Sequence, residues 1–444
     1  MKRVLVLAYF FPPLGGGGCQ RTLKLVRYLE PQGWRSSVVT TAGRDYWILD
    51  PTLEDEIPES AEVLRVGGLT AGKFLQALAR VGVPVQEPQG RRDSGPLGAL
   101  RAIQRWTLLP DGYRGWAHAA QRAAEVRIGR GGVDAVWTTS SPESAHLAGL
   151  ALKKRHRLPW VADFRDPWVG RVTYHPPTSW HDARNRAMER RVVSAADRVT
   201  VVSEAMAASY RSRYPEIAPE RFVCLPNGFD SDDWRRADLA SADGPRAPGA
   251  PRRFVLLHAG QLAHRPTVRT LLDGARLARD RDPGARADLL LRFMGGNEEI
   301  GPRELSRYGL GEALEFLPSQ PHIESLVSMR RAAALVLLGH GGSADSLLYT
   351  GKLYEYLSSG RPVLAILDDG PAAQLIRAAG AGSVIRPGDT ERVAALLLEW
   401  LGAWRAGKGP SASVSPALLD PWERRNLAAQ ASRILSEITP AQPR

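Results

Sequence analysis

Lys2 to Phe10 is a nearly continuous apolar run, closed by Pro12-Pro13 and the glycines Gly15 to Gly18. A strand apolar on both faces needs cover on both sides, so it belongs inside a parallel sheet flanked by helices. Parallel neighbours require crossover connections, and the sequence supplies them. Thr22 to Leu29 reads as a helix ending at Gly33, and Ser36 to Thr41 as the next strand. The alternation continues with strand Ala135 to Thr139, helix Glu143 to Arg155 and strand Trp160 to Phe164. Helix Arg184 to Ala195 and strands Arg198 to Val202 and Arg221 to Leu225 follow. Gly67 to Gly95 breaks the rhythm, with a helical piece at Lys73 to Val81 and then a polar stretch rich in Pro and Gly.

Arg235 to Arg253 lacks apolar periodicity and reads as a linker. Beyond it the pattern restarts: strand Phe254 to His258, helix Val268 to Arg279, and strands Leu289 to Phe293, Leu314 to Phe316, Ala334 to Leu338 and Val363 to Ile366. A last helix spans roughly Trp422 to Ile438. The expected organisation is α/β, with two Rossmann-like doubly wound domains facing each other across a cleft. Residues 1–234 form the first and 253–420 the second, joined by a linker at 235–252. Residues 421–444 form a terminal helix and tail packing back on the first domain.

Bulk composition excludes other classes. The hydrophobic share of 43% and charged share of 24% are those of a globular chain. Ala332 to Leu338 falls far short of the ~20 apolar residues that span a bilayer. Cys19 and Cys224 define no disulfide framework or metal spacing, which fits a reducing cytoplasm. The net charge of +12 suits anionic partners. It is spread without a basic block or nucleic-acid module, so nucleic acid is not expected. Lys73, Arg80, Arg91, Arg92, Arg101 and Arg105, beside Phe74, Leu75, Trp106, Leu108 and Leu109, make a basic-apolar segment. It suits either core packing or peripheral contact with the inner face of a membrane.

Loops after the strands carry the candidate chemistry. Gly16 and Gly17 let backbone approach a phosphate or sugar ring. The run is not a dinucleotide fingerprint, because Gln20 stands where the last glycine is needed, and it lacks the Lys-Ser/Thr ending of a Walker loop. Asp163-Phe164-Arg165-Asp166-Pro167-Trp168 ends a strand. Its carboxylates and arginine suit a hydroxyl-binding group, or a structural clamp with Trp168 as a core plug. A metal site is disfavoured because no histidine or third carboxylate is near in sequence. Ser140, in Thr139 to Glu143, offers a second hydroxyl site or a plain helix cap. In the second half Gln261 suits a neutral polar contact and Arg265 a diphosphate. Tyr349 to Pro362 reads as a helix running from near Thr350 to Gly360. Thr350 and Gly351 would present free N–H groups at the positive end of its dipole. Lys352 opposes that dipole unless an anion is bound. Glu355, one turn on, could accept hydrogen bonds from vicinal hydroxyls. The set suits a nucleotide diphosphate, or else an amphipathic surface helix.

With these residues laid out, the chain resembles the family-4 glycosyltransferases of the two-Rossmann-domain (GT-B) type over nearly its whole length. The resemblance rests on Pro12-Pro13 with Gly15 to Gly18, on Trp160 to Trp168, on Leu225-Pro226-Asn227-Gly228-Phe229-Asp230, and on Lys352 to Pro362. It implies transfer of a sugar from a nucleotide diphosphate donor to a saccharide or lipid-linked acceptor, with retention, without a cofactor or bound metal, in cell-envelope or exopolysaccharide assembly. By similarity Glu355 reads the ribose, Thr350 to Lys352 the diphosphate, Arg265 the leaving phosphate, and Pro318 to His322 the base. Arg265, Lys352 and Asp166 are the expected catalytic groups. Gly16, Gly17, Gln261, His322, Thr350, Gly351 and Glu355 complete the donor site. Asp163, Arg165 and Ser140 face the acceptor. The family's first glutamate, eight positions before Glu355, is Leu347 here, with Asp345 nearby. Gln261 follows Gly260 where the family has arginine, and Arg165 or Asp166 falls near the place of its histidine. An epimerase on the same fold and a silent partner of another transferase are the alternatives.

Overall fold

The structure, a computed structural model, describes residues 1–43, 48–68, 106–171, 174–242, 253–260, 262, 266–295, 308–339 and 351–440. The chain divides into two compact units, one formed by Met1–Glu87, Arg92–Asn227 and Arg424–Arg444, the other by Pro88–Arg91 and Gly228–Glu423.

The N-terminal unit is built on a seven-stranded sheet. Its strands are β1 (Lys2–Leu7), β2 (Trp34–Thr41), β3 (Glu62–Val66), β4 (Ala135–Ser140), β5 (Trp160–Phe164), β6 (Arg198–Val201) and β7 (Phe222–Cys224). They lie in the order β3-β2-β1-β4-β5-β6-β7, every pair parallel. Val4 to Leu7 are fully buried, as a strand covered on both faces must be. The principal helices are α1 (Gly17–Leu29), α2 (Arg114–Gly129), α3 (Ser144–His156), α4 (Ser179–Ala195) and α5 (Glu204–Arg213).

The C-terminal unit carries β8 (Phe254–Ala259), β9 (Leu289–Met294), β10 (Leu314–Leu317), β11 (Ala334–Leu338), β12 (Val363–Ile366) and β13 (Gly382–Ile385). They form a six-stranded sheet in the order β10-β9-β8-β11-β12-β13, again parallel throughout. Its principal helices are α6 (Ser231–Ala242), α7 (Pro266–Arg281), α8 (His322–Arg331), α9 (Gly351–Ser358), α10 (Pro371–Ala378) and α11 (Thr390–Arg405). Both units are therefore doubly wound Rossmann-like domains. In each, the strand order reverses once, at β1/β4 and at β8/β11, and that reversal opens a crevice beyond the carboxyl ends of the strands.

Two expectations about organisation are corrected. The division falls between Asn227 and Gly228, not at 234, and the first half of the expected linker at 235–252 is helical. Asp232 and Asp233 favour the start of α6 by complementing its dipole. Trp234 and Ala237, three apart, bury one face of it in the core of the C-terminal unit. That spacing was hidden by the polar composition around it. The final helix, α12 (Arg424–Ile438), belongs to the N-terminal unit. Its Leu427, Ala431, Ile434 and Leu435 recur at helical spacing and pack with Leu23, Val26 and Leu29 of α1. The segments entering and leaving the C-terminal unit run side by side. Phe229 N–H donates to the Trp422 carbonyl at 3.1 Å, and Ser231 Oγ to Glu423 Oε2 at 2.5 Å.

Candidate functional site

In the C-terminal unit the crevice at β8/β11 is bordered by Gly260, which follows β8, and by the start of α9. Tyr356 fixes α9 in place: the Ala259 N–H donates to its hydroxyl at 2.9 Å, tying the helix to the end of β8. Buried Leu353, Tyr354 and Leu357 anchor the rest of the helix in the core. One turn earlier Lys352 then crosses Gly260 so closely that a Cβ there would lie 1.6 Å from its Nζ. Gly260 has φ of 129°, and Gly295, at φ 131°, stacks on its backbone, where a Cβ would come within 2.6 Å of the Gly260 carbonyl carbon. Only glycine satisfies both the dihedral and the space. Lys352 and Glu355 are half-buried, and a Cβ on Gly351 would meet open space. A cation and a helix start thus border one crevice, with Glu355 one turn further along α9. Thr350, Gln261 and Arg265 lie outside the described residues, as do Asp345 and Leu347.

His322, expected to border the donor, has a partner within the C-terminal unit. It begins α8, but its Nε2 lies 3.0 Å from Asp233 Oδ2 on α6. Asp233 is 1% exposed, so the imidazole serves to join two helices.

The N-terminal crevice has a parallel construction. Gly16, at φ 85°, precedes α1 and its carbonyl accepts from the N–H groups of Cys19 and Gln20. Gly17 opens onto free space. At Gly18 a Cβ would lie 2.1 Å from Arg165 Nη1. Arg165, at the end of β5, donates Nε–H to the Ser140 carbonyl and Nη2–H to the Ser141 carbonyl, the latter at 2.8 Å. Its guanidinium also sits 5.6 Å above the Phe10 ring. Each unit therefore lays one cation across a glycine that follows its first strand. Asp166, half-buried beside Arg165, adds its charge near Arg171.

Asp163, expected to face an acceptor, is occupied otherwise. Its Oδ1 accepts from Arg21 Nη2 at 2.7 Å and Thr200 Oγ1 at 2.8 Å, and its Oδ2 from Arg21 Nε at 3.0 Å and Thr139 Oγ1 at 2.9 Å. Burial alone would raise this carboxyl, but Arg21 and the two hydroxyls outweigh it and hold it below the usual carboxylate range. Arg21 donates onward to the carbonyls of Leu225 at 2.9 Å and Pro226 at 2.8 Å. The pair is a structural clamp joining α1, β5 and the end of β7. Ser140 is 1% exposed, and the group it turns to Arg165 is its carbonyl, so its expected acceptor-side hydroxyl role is also corrected.

Sequence reasoning missed a carboxyl pair at the same sheet edge. Asp111 accepts from Tyr113 N–H, Ser144 N–H and Ser144 Oγ, each at 2.8 Å, and is hydrogen-bonded to Glu143. Glu143 is 4% exposed and paired with Arg171. Burial lifts the Glu143 carboxyl to about 7 against the pull of Arg171, and Asp111 adds like-charge repulsion. Pro110-Asp111-Gly112 carries a turn signal, but nothing in the local sequence marks its partner. His146, beneath this edge, bonds Thr138 Oγ1 at 2.7 Å and stacks on Phe164. Burial drives its pKa down to about 3, so it stays neutral.

With both crevices described, the class of fold follows: two Rossmann-like units of the GT-B type. Residues 16–228 match the family model of the glycosyl transferase 4-like domain. Among solved structures it resembles Anabaena HepE in complex with UDP and glucose, at 17% identity and TM-score 0.61, over 98% of this chain and 100% of that one. It resembles WaaG, a glycosyltransferase involved in lipopolysaccharide biosynthesis, at 16% identity and TM-score 0.58, over 98% and 99%. The UDP-GlcNAc 2-epimerase of Methanocaldococcus jannaschii shares the fold at 12% identity and TM-score 0.54, over 98% and 100%. No curated protein compared with the chain matches it. Among the described residues no helix is long and apolar enough to cross a membrane.

Proposed function

We propose that the protein transfers a hexosyl group from a nucleotide diphosphate sugar to a saccharide or lipid-linked acceptor in cell-envelope or exopolysaccharide assembly, with retention. The observation that carries this is the Lys352 ammonium lying across Gly260 at the start of α9, with Glu355 one turn on. The ammonium and the first N–H groups of α9 would take the diphosphate, and Glu355 the ribose hydroxyls. Arg265, Gln261 and Thr350 would complete the donor side, with Gly16 and Gly17 allowing close backbone approach. Charge develops on the leaving diphosphate as the glycosidic bond stretches, which is where fixed cations and N–H groups act most strongly. The reading calls on no resident cofactor. Arg165 and Asp166 stand on the acceptor side, and the likeness to WaaG and to UDP-bound HepE supports the choice of pathway and donor.

Incubation with a panel of labelled nucleotide sugars tests it. Transfer, or slow hydrolysis of one donor that falls at least ~100-fold in Lys352→Met, is the expected result. Interconversion of nucleotide sugars without transfer would replace the reading with an epimerase, the activity named for one of its structural neighbours. Tight binding without turnover would make the chain a silent partner.

A further inference from the structure

We infer that a small cavity between α1, β4 and α12 binds a monovalent inorganic anion of chloride size, which fastens the returning C-terminal helix to the N-terminal unit. The cavity measures about 20 Å³ and is lined by Arg21, Trp137, Leu225, Pro226 and Arg424. Leu25, Leu427 and Ala428 close the rest of it. Trp137 is 1% exposed, and its indole N–H is buried without an acceptor. A buried donor left without a partner is destabilising, and an accepting occupant of the cavity removes that cost. The first turn of α12 lies against the same cavity. It opens with Arg424 and Arg425 and holds no acid. The preceding Glu423 accepts from Ser231 through both oxygens, from its N–H at 3.2 Å and its hydroxyl at 2.5 Å. Arg425 turns to Tyr28, its guanidinium 5.3 Å from the ring centre, whereas Arg424, 8% exposed, borders the cavity. Cations in a first turn oppose the helix dipole unless an anion lies beside them.

The donor set favours an anion over water. Indole and guanidinium groups only donate. Leu225 and Pro226 contribute carbonyls that already accept from Arg21, at 2.9 and 2.8 Å, and Leu25, Leu427 and Ala428 are apolar. A water would bring two protons of its own to a wall of donors, whereas a halide only accepts. Size narrows the choice further. A cavity of this volume takes one water-sized occupant, which excludes phosphate and sulfate. The charge of Arg21 is met by Asp163, so Arg424 and the positive end of α12 supply the field that holds the ion. Because Arg21 also belongs to the clamp with Asp163, a bound ion braces that clamp and the first turn of α12 together.

Thermal unfolding of the full chain in sodium chloride and in sodium gluconate at equal ionic strength tests the site. Chloride is expected to raise the transition of the N-terminal unit by about 4–7 °C once it stands roughly twentyfold above its Kd, along a saturating curve. Bromide should reproduce the rise, and sulfate should not. Trp137→Phe keeps the bulk of an aromatic ring and removes the N–H, so about half or more of the chloride increment should go with it. Arg424→Met should lose the increment as well. A crystal of the wild-type protein grown in bromide reads the site without any variant: an anomalous peak bordered by Trp137 and Arg424 is expected. Equal melting in chloride and gluconate overturns the inference, as does a rise that sulfate matches or that either variant leaves intact. So does a bromide crystal whose cavity holds only water. Sugar transfer plays no part in any of these readouts, so its presence or absence leaves the anion site to be decided by them alone.

Discussion

At the scale of single residues, charge placement separates groups that hold the fold from groups that face a ligand. Arg21 and Asp163 are both buried, and each satisfies the other with two hydrogen bonds. Removing one charge of such a pair strands its partner. Asp163→Asn is therefore expected to lower unfolding free energy by about 3–5 kcal/mol, read from urea denaturation. Glu143 runs the other way. Its folded carboxyl titrates near 7, above the ordinary 4.5, so the native state holds a proton that the unfolded chain has released. The stability from this group is complete below about pH 4.5 and is lost as pH rises through about 7. Glu143→Gln should flatten the fall in melting temperature across that window. An unchanged slope would mean that the pair with Asp111 does not store the proton. Both partnerships were invisible in the sequence: Arg21 and Asp163 stand 142 positions apart, and no local pattern announces a pairing at that distance.

At the scale of elements, the glycines after β1 and β8 decide where a cation can lie. Gly260→Ala would place a methyl group on the Lys352 ammonium. The flexible lysine can retreat, so the fold should survive at a cost of about 1 kcal/mol or more for the positive φ. Affinity for a nucleoside diphosphate should fall about 10-fold or more, because one displaced charge–phosphate contact carries that much. Calorimetric titration beside a melting curve separates the two effects, and undiminished affinity would remove Lys352 from the donor site. Strands buried on both faces were legible to within a residue or two: Trp160–Phe164, Ala334–Leu338 and Val363–Ile366 form as read. Helix α6 was not, because its anchors Trp234 and Ala237 sit among charged residues.

At the scale of the molecule, two units with separate cores imply two unfolding transitions. A nucleoside diphosphate bound only near Gly260 and Lys352 should raise the transition of the C-terminal unit and leave the other in place. At a hundredfold excess over Kd the gain is about 2.7 kcal/mol, or roughly 5–10 °C for a unit of this size. Scanning calorimetry would show one peak moving. Equal movement of both would place the ligand outside the C-terminal crevice or couple the units.

Alternating apolar runs and glycine loops were enough by themselves to specify two doubly wound sheets, because a strand buried on both faces has few other homes. The same local signals marked the loops after β1, β5 and β8 and the start of α9 as the chemical edge. Tertiary structure alone decided which polar groups at that edge are consumed. Asp163 went to Arg21, His322 to Asp233 and Glu143 to Asp111 and Arg171, while Arg165 and Lys352 were laid across their glycines. Periodicity records which face of an element is buried, whereas the partner of a charge depends on which distant segments the topology brings within about 3 Å.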